Sequence, residues 1–160
     1  MPIRPSTHAD HEAIWAILEP VFSAGESYAI DPDISREDAL EYWLGTDRES
    51  FVFEQDGAVL GTYYLRTNAG GGGSHVCNCG YITAPAAAGR GIARRMCLHS
   101  LDQARTRGYR AMQFNFVVAT NTRAIDLWQT LGFATVGTLP GAFNHPRHGM
   151  VDALVMYQSL

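Results

Sequence analysis

The strongest chemical signal in the 160-residue chain is a short stretch, Ala88-Gly89-Arg90-Gly91-Ile92-Ala93. It lies where a strand should hand over to a helix. Two glycines in three residues let the backbone turn tightly and approach a ligand. The helix that follows presents unpaired N–H groups in its first turn. Together they make an anion cradle suited to a pyrophosphate. Arg90, Arg94 and Arg95 add mobile positive charge beside it. The stretch lacks the Lys-Ser/Thr pair of a nucleotide phosphate loop. It also fails the dinucleotide fingerprint, because Arg94 stands where the third glycine belongs and the next strand carries no acid.

A second set of residues could read and deprotonate a small substrate. Gln113 and Asn115 share one face of an apolar strand, and two adjacent amides can hold a carboxylate or an amide. Met112, Phe114, Phe116 and Val118 on the other face suit the core. Proton acceptors are less obvious. His75, Glu26 and His145 are candidates, with a chain of ordered water as the alternative. His75 is the best matched, since imidazole is half neutral at about pH 6.5. His75, Cys77 and Cys79 alternate on one strand face. A Cys-x-Cys pair near a histidine suggests zinc, but no second pair supplies the remaining ligands, so no metal is expected. Cys97 falls on the apolar stripe of a helix and reads as core.

The elements that must position these groups follow from spacing and punctuation. Thr7, with Asp10 three places on, opens a helix carrying Ala13, Ile14, Ile17, Leu18 and Val21. Ser35 opens a second, with Ala39, Leu40, Trp43 and Leu44. Residues 22–34 between them read as a loop lying over a pocket. Phe51 to Gln55 and Ala58 to Arg66 form a hairpin about Asp56-Gly57. The run Gly70 to Gly73 reads as a flexible connection. Strands follow at 75–83, 111–118, 133–139 and 151–157, helices at 91–107 and 121–131, and a loop at 139–150. Asn121 caps the last helix and Gly132 stops it. The result is a mixed α/β sheet of six or seven strands with helices on both faces.

Composition narrows the class. The chain is 46% hydrophobic and 18% charged, which excludes disorder and suits one domain over residues 1–160. Its three cysteines make no disulfide framework. No apolar run is long enough to span a membrane, and the N-terminus lacks a signal-peptide pattern, so a cytoplasmic domain is expected. All twelve basic residues are arginine, and six of them fall between Arg90 and Arg110. Thirteen of the sixteen acids precede Gly57. A basic cluster so local, beside glycines, suits a small phosphorylated ligand rather than nucleic acid.

Two segments together resemble the GNAT superfamily of N-acetyltransferases. In that family a Gln/Arg-x-x-Gly-x-Gly/Ala loop binds the acetyl-CoA pyrophosphate. Gly91 and Ala93 match it, while Ala88 replaces the Gln or Arg. The family's later Asn, Ala, Leu-Tyr and Gly-Phe appear as Asn121, Ala124, Leu127-Trp128 and Gly132-Phe133. The resemblance implies an acyl-CoA N-acyltransferase fold with a mostly antiparallel sheet, and acetyl-CoA as co-substrate. It implies that the strand before the glycine loop splays from its neighbour to admit the cofactor arm. Ile82, Thr83, Ala88, Gly89, Arg90, Gly91, Ile92, Ala93, Arg94, Asn121 and Trp128 would then form the cofactor site. N–H groups near Ile82 and Thr83 would serve the pantetheine arm and the thioester oxygen. Trp128 stands where relatives carry a tyrosine credited with protonating the thiolate, and an indole has no such proton to give. Many relatives place a glutamate on the strand that reads Val76-Cys77-Asn78-Cys79 here, so the base is not assigned by the motif.

Residues 113–118, the Asn121 segment and Leu139-Pro140-Gly141-Ala142-Phe143 resemble, more narrowly, the branch with proline-analogue (azetidine-2-carboxylate) acetyltransferases. That likeness implies that Asn115 holds a substrate carboxylate and that Asn121 contacts coenzyme A. The expected partner is a small-molecule amine, with a homodimer as the assembly to test. Two other readings stay open: an acyl-CoA sensor without catalysis, and an acyltransferase for protein N-termini. A long open groove between loops 22–34 and 139–150 would favour the latter.

Overall fold

Strand alternation and helical spacing resolve into seven strands and four α-helices in a computed structural model that describes residues 2–160. In chain order these are β1 (Ile3–Pro5), α1 (His11–Ala24), α2 (Arg36–Leu44), β2 (Arg48–Gln55), β3 (Ala58–Thr67) and β4 (Val76–Thr83). There follow α3 (Ile92–Thr106), β5 (Ala111–Val118), α4 (Thr122–Thr130), β6 (Ala134–His145) and β7 (Gly149–Ser159). They form one sheet in the order β1-β2-β3-β4-β5-β7-β6. Every neighbouring pair is antiparallel except β4 and β5. The expected mixed, mostly antiparallel sheet is present, with seven strands.

Each face of the sheet is covered by two helices. Ile14, Leu18 and Phe22 of α1 and Ala39 and Trp43 of α2 pack with Val52, Tyr64 and Ile82. Met96, Cys97 and Leu101 of α3 and Trp128 of α4 pack on the other face with Tyr63, Cys79, Met112 and Phe114. Burying apolar area on both faces is what closes the fold. No helix among the described residues is long and apolar enough to cross a membrane.

Local signals hold at most boundaries. The Ser35 hydroxyl accepts the Asp38 N–H at 3.1 Å and starts α2. Asp56 (φ +53°) and Gly57 (φ +79°) make the tight turn between β2 and β3. The Thr7 N–H donates to Asp10 Oδ2 at 2.7 Å, but the turn it opens is 3₁₀ over His8–Asp10, and α1 begins after it.

Four expectations change. Strand β1 carries no sequence signal, because three residues cannot show a period; its pairing with Phe51, Val52 and Phe53 defines it. Residues 139–150 are not a loop but the turn end of a long β6–β7 hairpin. A register shift between Leu139 and Phe143 absorbs Pro140 and Gly141, which read as breakers. Asn121 occupies the N-cap position of α4 but makes no side-chain cap bond. The glycine run at 70–73 includes a 3₁₀ turn over Gly71–Gly73 rather than a featureless connection.

Candidate functional site

Strands β4 and β5 touch only at Val76↔Ala111 and Cys77↔Met112. Beyond Cys77 they part, and a cleft of about 360 Å³ opens between them. Asn78 pins the vertex: its Nδ2 donates to the Gln113 carbonyl at 2.8 Å, where a ladder bond would otherwise stand. On the other side β5 bulges against β7 between Phe114 and Val117. The bulge breaks the alternation of β5. Phe114 and Val117 both enter the core, and Phe116, expected there, is only half-buried and lines the cleft.

The splay leaves half of the β4 backbone unpaired. The Val76 carbonyl accepts the Asn68 N–H and the Ala84 N–H donates to the Leu60 carbonyl, so even-numbered residues face β3. The β3–β4 register runs without a shift from Gly61↔Thr83 to Thr67↔Cys77. Alternation therefore turns the N–H groups of Cys79, Tyr81 and Thr83 toward the cleft. Of the two donors expected, Thr83 faces the cleft, while the Ile82 N–H belongs to the β3 side. Ile82 contributes its side chain to the cleft wall. The Tyr28 hydroxyl donates to the Tyr81 carbonyl at 3.0 Å, on the same open edge.

The glycine loop has the shape of an anion cradle. Gly89 (φ +79°) and Gly91 (φ +74°) are both left-handed, and a Cβ built on either would meet nothing within 4 Å. Gly91 is the N-cap of the fifteen-residue α3, whose first turn carries no acid. Its free N–H groups and the positive end of its dipole meet at open space. Ala88, Arg90 and Arg94 are exposed around it, Ile92 is buried beneath it, and Ala93 lies between. Arg95 is exposed as well, and its guanidinium sits 4.9 Å over the Phe53 ring.

The remaining candidates divide. Asn115, Asn121, Ala124 and Trp128 line the cleft. Trp128 is 9% exposed and packs 5.1 Å from both Tyr81 and Phe114. Asn115 Nδ2 donates to Asn68 Oδ1 at 2.7 Å, and Gln113 Nε2 donates to Asn115 Oδ1 at 2.9 Å. The three proton acceptors do not reach the cleft lining. His75 is exposed and precedes the point where β4 and β5 part, so it sits at the closed end. Glu26 is drawn aside into an ion pair with Arg147 at 2.8 Å. His145 is buried, and its Nδ1 accepts the Arg147 N–H at 3.1 Å. Burial pushes the Cys97 thiol up to about 12 and raises Cys79 well above its ordinary value, which suits packing rather than nucleophilic chemistry. No cluster of three metal-ligating side chains occurs among the described residues.

Several cleft residues carry no sequence motif. Tyr28, Tyr42, Tyr64, Arg66 and Asn78 all line it. Gly80 lets the Tyr64 ring lie across β4, since a Cβ there would stand 2.6 Å from Tyr64 Cε2. Only the Tyr64↔Gly80 strand register could have disclosed that pairing, and register is not local information.

Comparison with known proteins adds an independent line. Residues 11–133 match the model of the acetyltransferase (GNAT) family. A GCN5-related N-acetyltransferase from Kribbella flavida superposes with a TM-score of 0.94 and 42% identity, over 99% of this chain and 96% of that one. The N-acetyltransferase aca1 of Schizosaccharomyces pombe is 28% identical, over 82% of this chain and 71% of that protein. A phosphinothricin acetyltransferase from Sinorhizobium meliloti, solved in complex with AcCoA, shares the fold at 20% identity and a TM-score of 0.85. That match spans all of this chain and 89% of the other.

Proposed function

The chain belongs to the acetyltransferase (GNAT) family, and on that premise we propose that it moves an acetyl group from acetyl-CoA to the amine of a small, carboxylate-bearing acceptor. The observation that carries this reading is the splay of β4 from β5, with unpaired β4 N–H groups along one wall and the glycine cradle at its end. Bound acetyl-CoA supplies a thioester carbonyl as the electrophile. The residues fit it: Gly89, Gly91 and the start of α3 hold the pyrophosphate, with Arg90 and Arg94 beside them. The Thr83 and Tyr81 N–H groups serve the arm, and the Cys79 N–H lies nearest the vertex to steady the developing oxyanion. Asn121 contacts the arm from the opposite wall.

Asn115, held by Asn68 and Gln113, orients the acceptor carboxylate. Alignment of amine and carbonyl is then the main source of rate. The cleft lining holds no Asp, Glu or His among the described residues, so water takes the amine proton. Trp128 forms the wall against the departing sulfur, and a thiol with a pKa of about 8.5 leaves without a side-chain acid.

A small acceptor is favoured over a protein N-terminus by the Glu26–Arg147 ion pair, which links the α1–α2 loop to the β6–β7 turn. The test is incubation with acetyl-CoA and a panel of free amino acids, following thiol release and product mass. Acetylated amino acids support the reading. Thiol-free, tight acetyl-CoA binding with no product from any amine returns the sensor reading. Acetylation of peptides in preference to free amino acids returns the N-terminal one.

A further inference from the structure

We infer that Arg66 forms an anion subsite at the vertex end of the cleft and selects acceptors that carry a carboxylate beside the amine. This rests on the transferase reading for the word acceptor, but the charge arrangement stands on its own. Arg66 is the only charged residue lining the cleft among the described residues. Its Nε reaches only the Thr67 carbonyl, at 3.3 Å, and it has no ion-pair partner among the described residues.

The strand register makes this costly. Arg48 on β2 stands directly opposite Arg66 on β3, and like charges so placed repel. One carboxylate is at hand, and Arg48 takes it: Nε to Asp47 Oδ1 at 2.9 Å and Nη2 to Oδ2 at 3.3 Å. The Arg48 guanidinium lies 5.2 Å and 4.8 Å over the Tyr42 and Tyr64 rings, both of which line the cleft. Its side chain is only 8% exposed, yet Nη1 is buried without a hydrogen-bond partner. Two guanidinium groups therefore stand on neighbouring strands with one carboxylate, which Arg48 holds, and Arg66 is left to pair with a second anion.

Position decides which anion. Arg66 pairs with Asn78 at the vertex, and Asn78 is five residues from Thr83. At about 3.3 Å per residue, that puts Arg66 about 17 Å along the strand from Thr83, the end of β4 that leads to the glycine loop. The pyrophosphate is at the other end. Asn68, two residues on from Arg66 and just past the end of β3, holds Asn115. A guanidinium fork and an amide thus converge where a carboxylate would sit.

The experiment pairs L-alanine with L-alaninamide and L-proline with L-prolinamide as acceptors, for wild type, Arg66→Gln and Arg66→Lys. A second arm follows binding of N-acetyl-L-alanine and its carboxamide to the coenzyme A complex by ligand-observed NMR. We expect wild type to prefer the acid by about tenfold or more in kcat/KM, the preference to collapse in Arg66→Gln, and Arg66→Lys to restore part of it. Acetyl-CoA affinity should be retained in a folded Arg66→Gln. A wild-type preference for the amides, or an unchanged acid preference in Arg66→Gln, overturns the inference and leaves the transferase standing. A weakened acetyl-CoA affinity in folded Arg66→Gln also overturns it, by placing Arg66 on the cofactor. Absence of any transfer, with Arg66-dependent binding of the acid in the NMR arm, removes the transferase reading and upholds the anion subsite.

Discussion

Gly91 and Trp128 show how differently single side chains can be constrained. At Gly91 the left-handed backbone disfavours a side chain, and in the proposed reading the open space above it is where the phosphate would sit. Gly91→Val should raise the acetyl-CoA dissociation constant tenfold or more, about 1.4 kcal/mol, by calorimetry on protein shown to be folded. Unchanged affinity would take the cradle away from the cofactor. Trp128 is held by tilted ring contacts with Tyr81 and Phe114 and carries no titratable proton. Trp128→Phe should keep the fold and most cofactor affinity. Trp128→Tyr should retain activity, with a higher rate only if thiolate protonation limits turnover. Steady-state rates against pH for both variants check this, and identical profiles for Trp128→Phe and wild type would reduce the indole to packing.

Strands and helices convert such constraints into placement. Tyr64 reaches the cleft only because its cross-strand partner on β4 is a glycine. Gly80→Ala forces the ring aside, at a cost of about 1–3 kcal/mol for an overpacked site. The thermal midpoint should fall and the acceptor KM should rise; a variant with both unchanged would show that the ring moves freely. The β1–α1 corner depends instead on charge. Asp10 is buried, and its carboxyl is held down to about 2, chiefly by hydrogen bonds from the Arg4 guanidinium. The unfolded carboxyl titrates at about 3.9. The folded value is the lower one, so this stabilisation is complete above about pH 4 and is lost as pH falls toward about 2. Asp10→Asn should lower stability at neutral pH and flatten the acid limb over that window in denaturant titrations. A parallel displacement of the whole curve would assign the effect to packing.

Taken as a whole, the molecule in the proposed reading divides its labour along one cleft: phosphate at the α3 end, acyl chemistry along β4, anion recognition at the vertex. With no carboxylate or imidazole in the cleft lining among the described residues, the amine's deprotonation is left to water in the proposed reading. The pH profile of kcat/KM should rise with unit slope up to the pKa of the acceptor amine. Across acceptors of different basicity, the break should move with the acceptor. A break fixed at about 6.5 for every acceptor would instead identify a histidine as the base.

The sequence by itself determined what is local. Helical spacing, turn chemistry and the Gly89–Ala93 loop sit within a few residues of one another, so periodicity and backbone freedom disclose them directly. The glycine loop was readable in that way, while Asn115, Asn121 and Trp128, which line the cleft, were picked out by their resemblance to a family motif. The three candidate bases were not decided by residue type, because imidazole and carboxylate chemistry is the same wherever the chain puts it. Only the tertiary structure decided that β4 and β5 part after Cys77, which strands His75 at the closed end, and that Glu26 and Arg147 satisfy each other. It also decided that Arg48 and Arg66, eighteen residues apart in the chain, face each other across a register while the one carboxylate beside them, Asp47, pairs with Arg48. Strand pairing is a contact between distant residues, and a single-residue slip would turn each of these side chains to the opposite face.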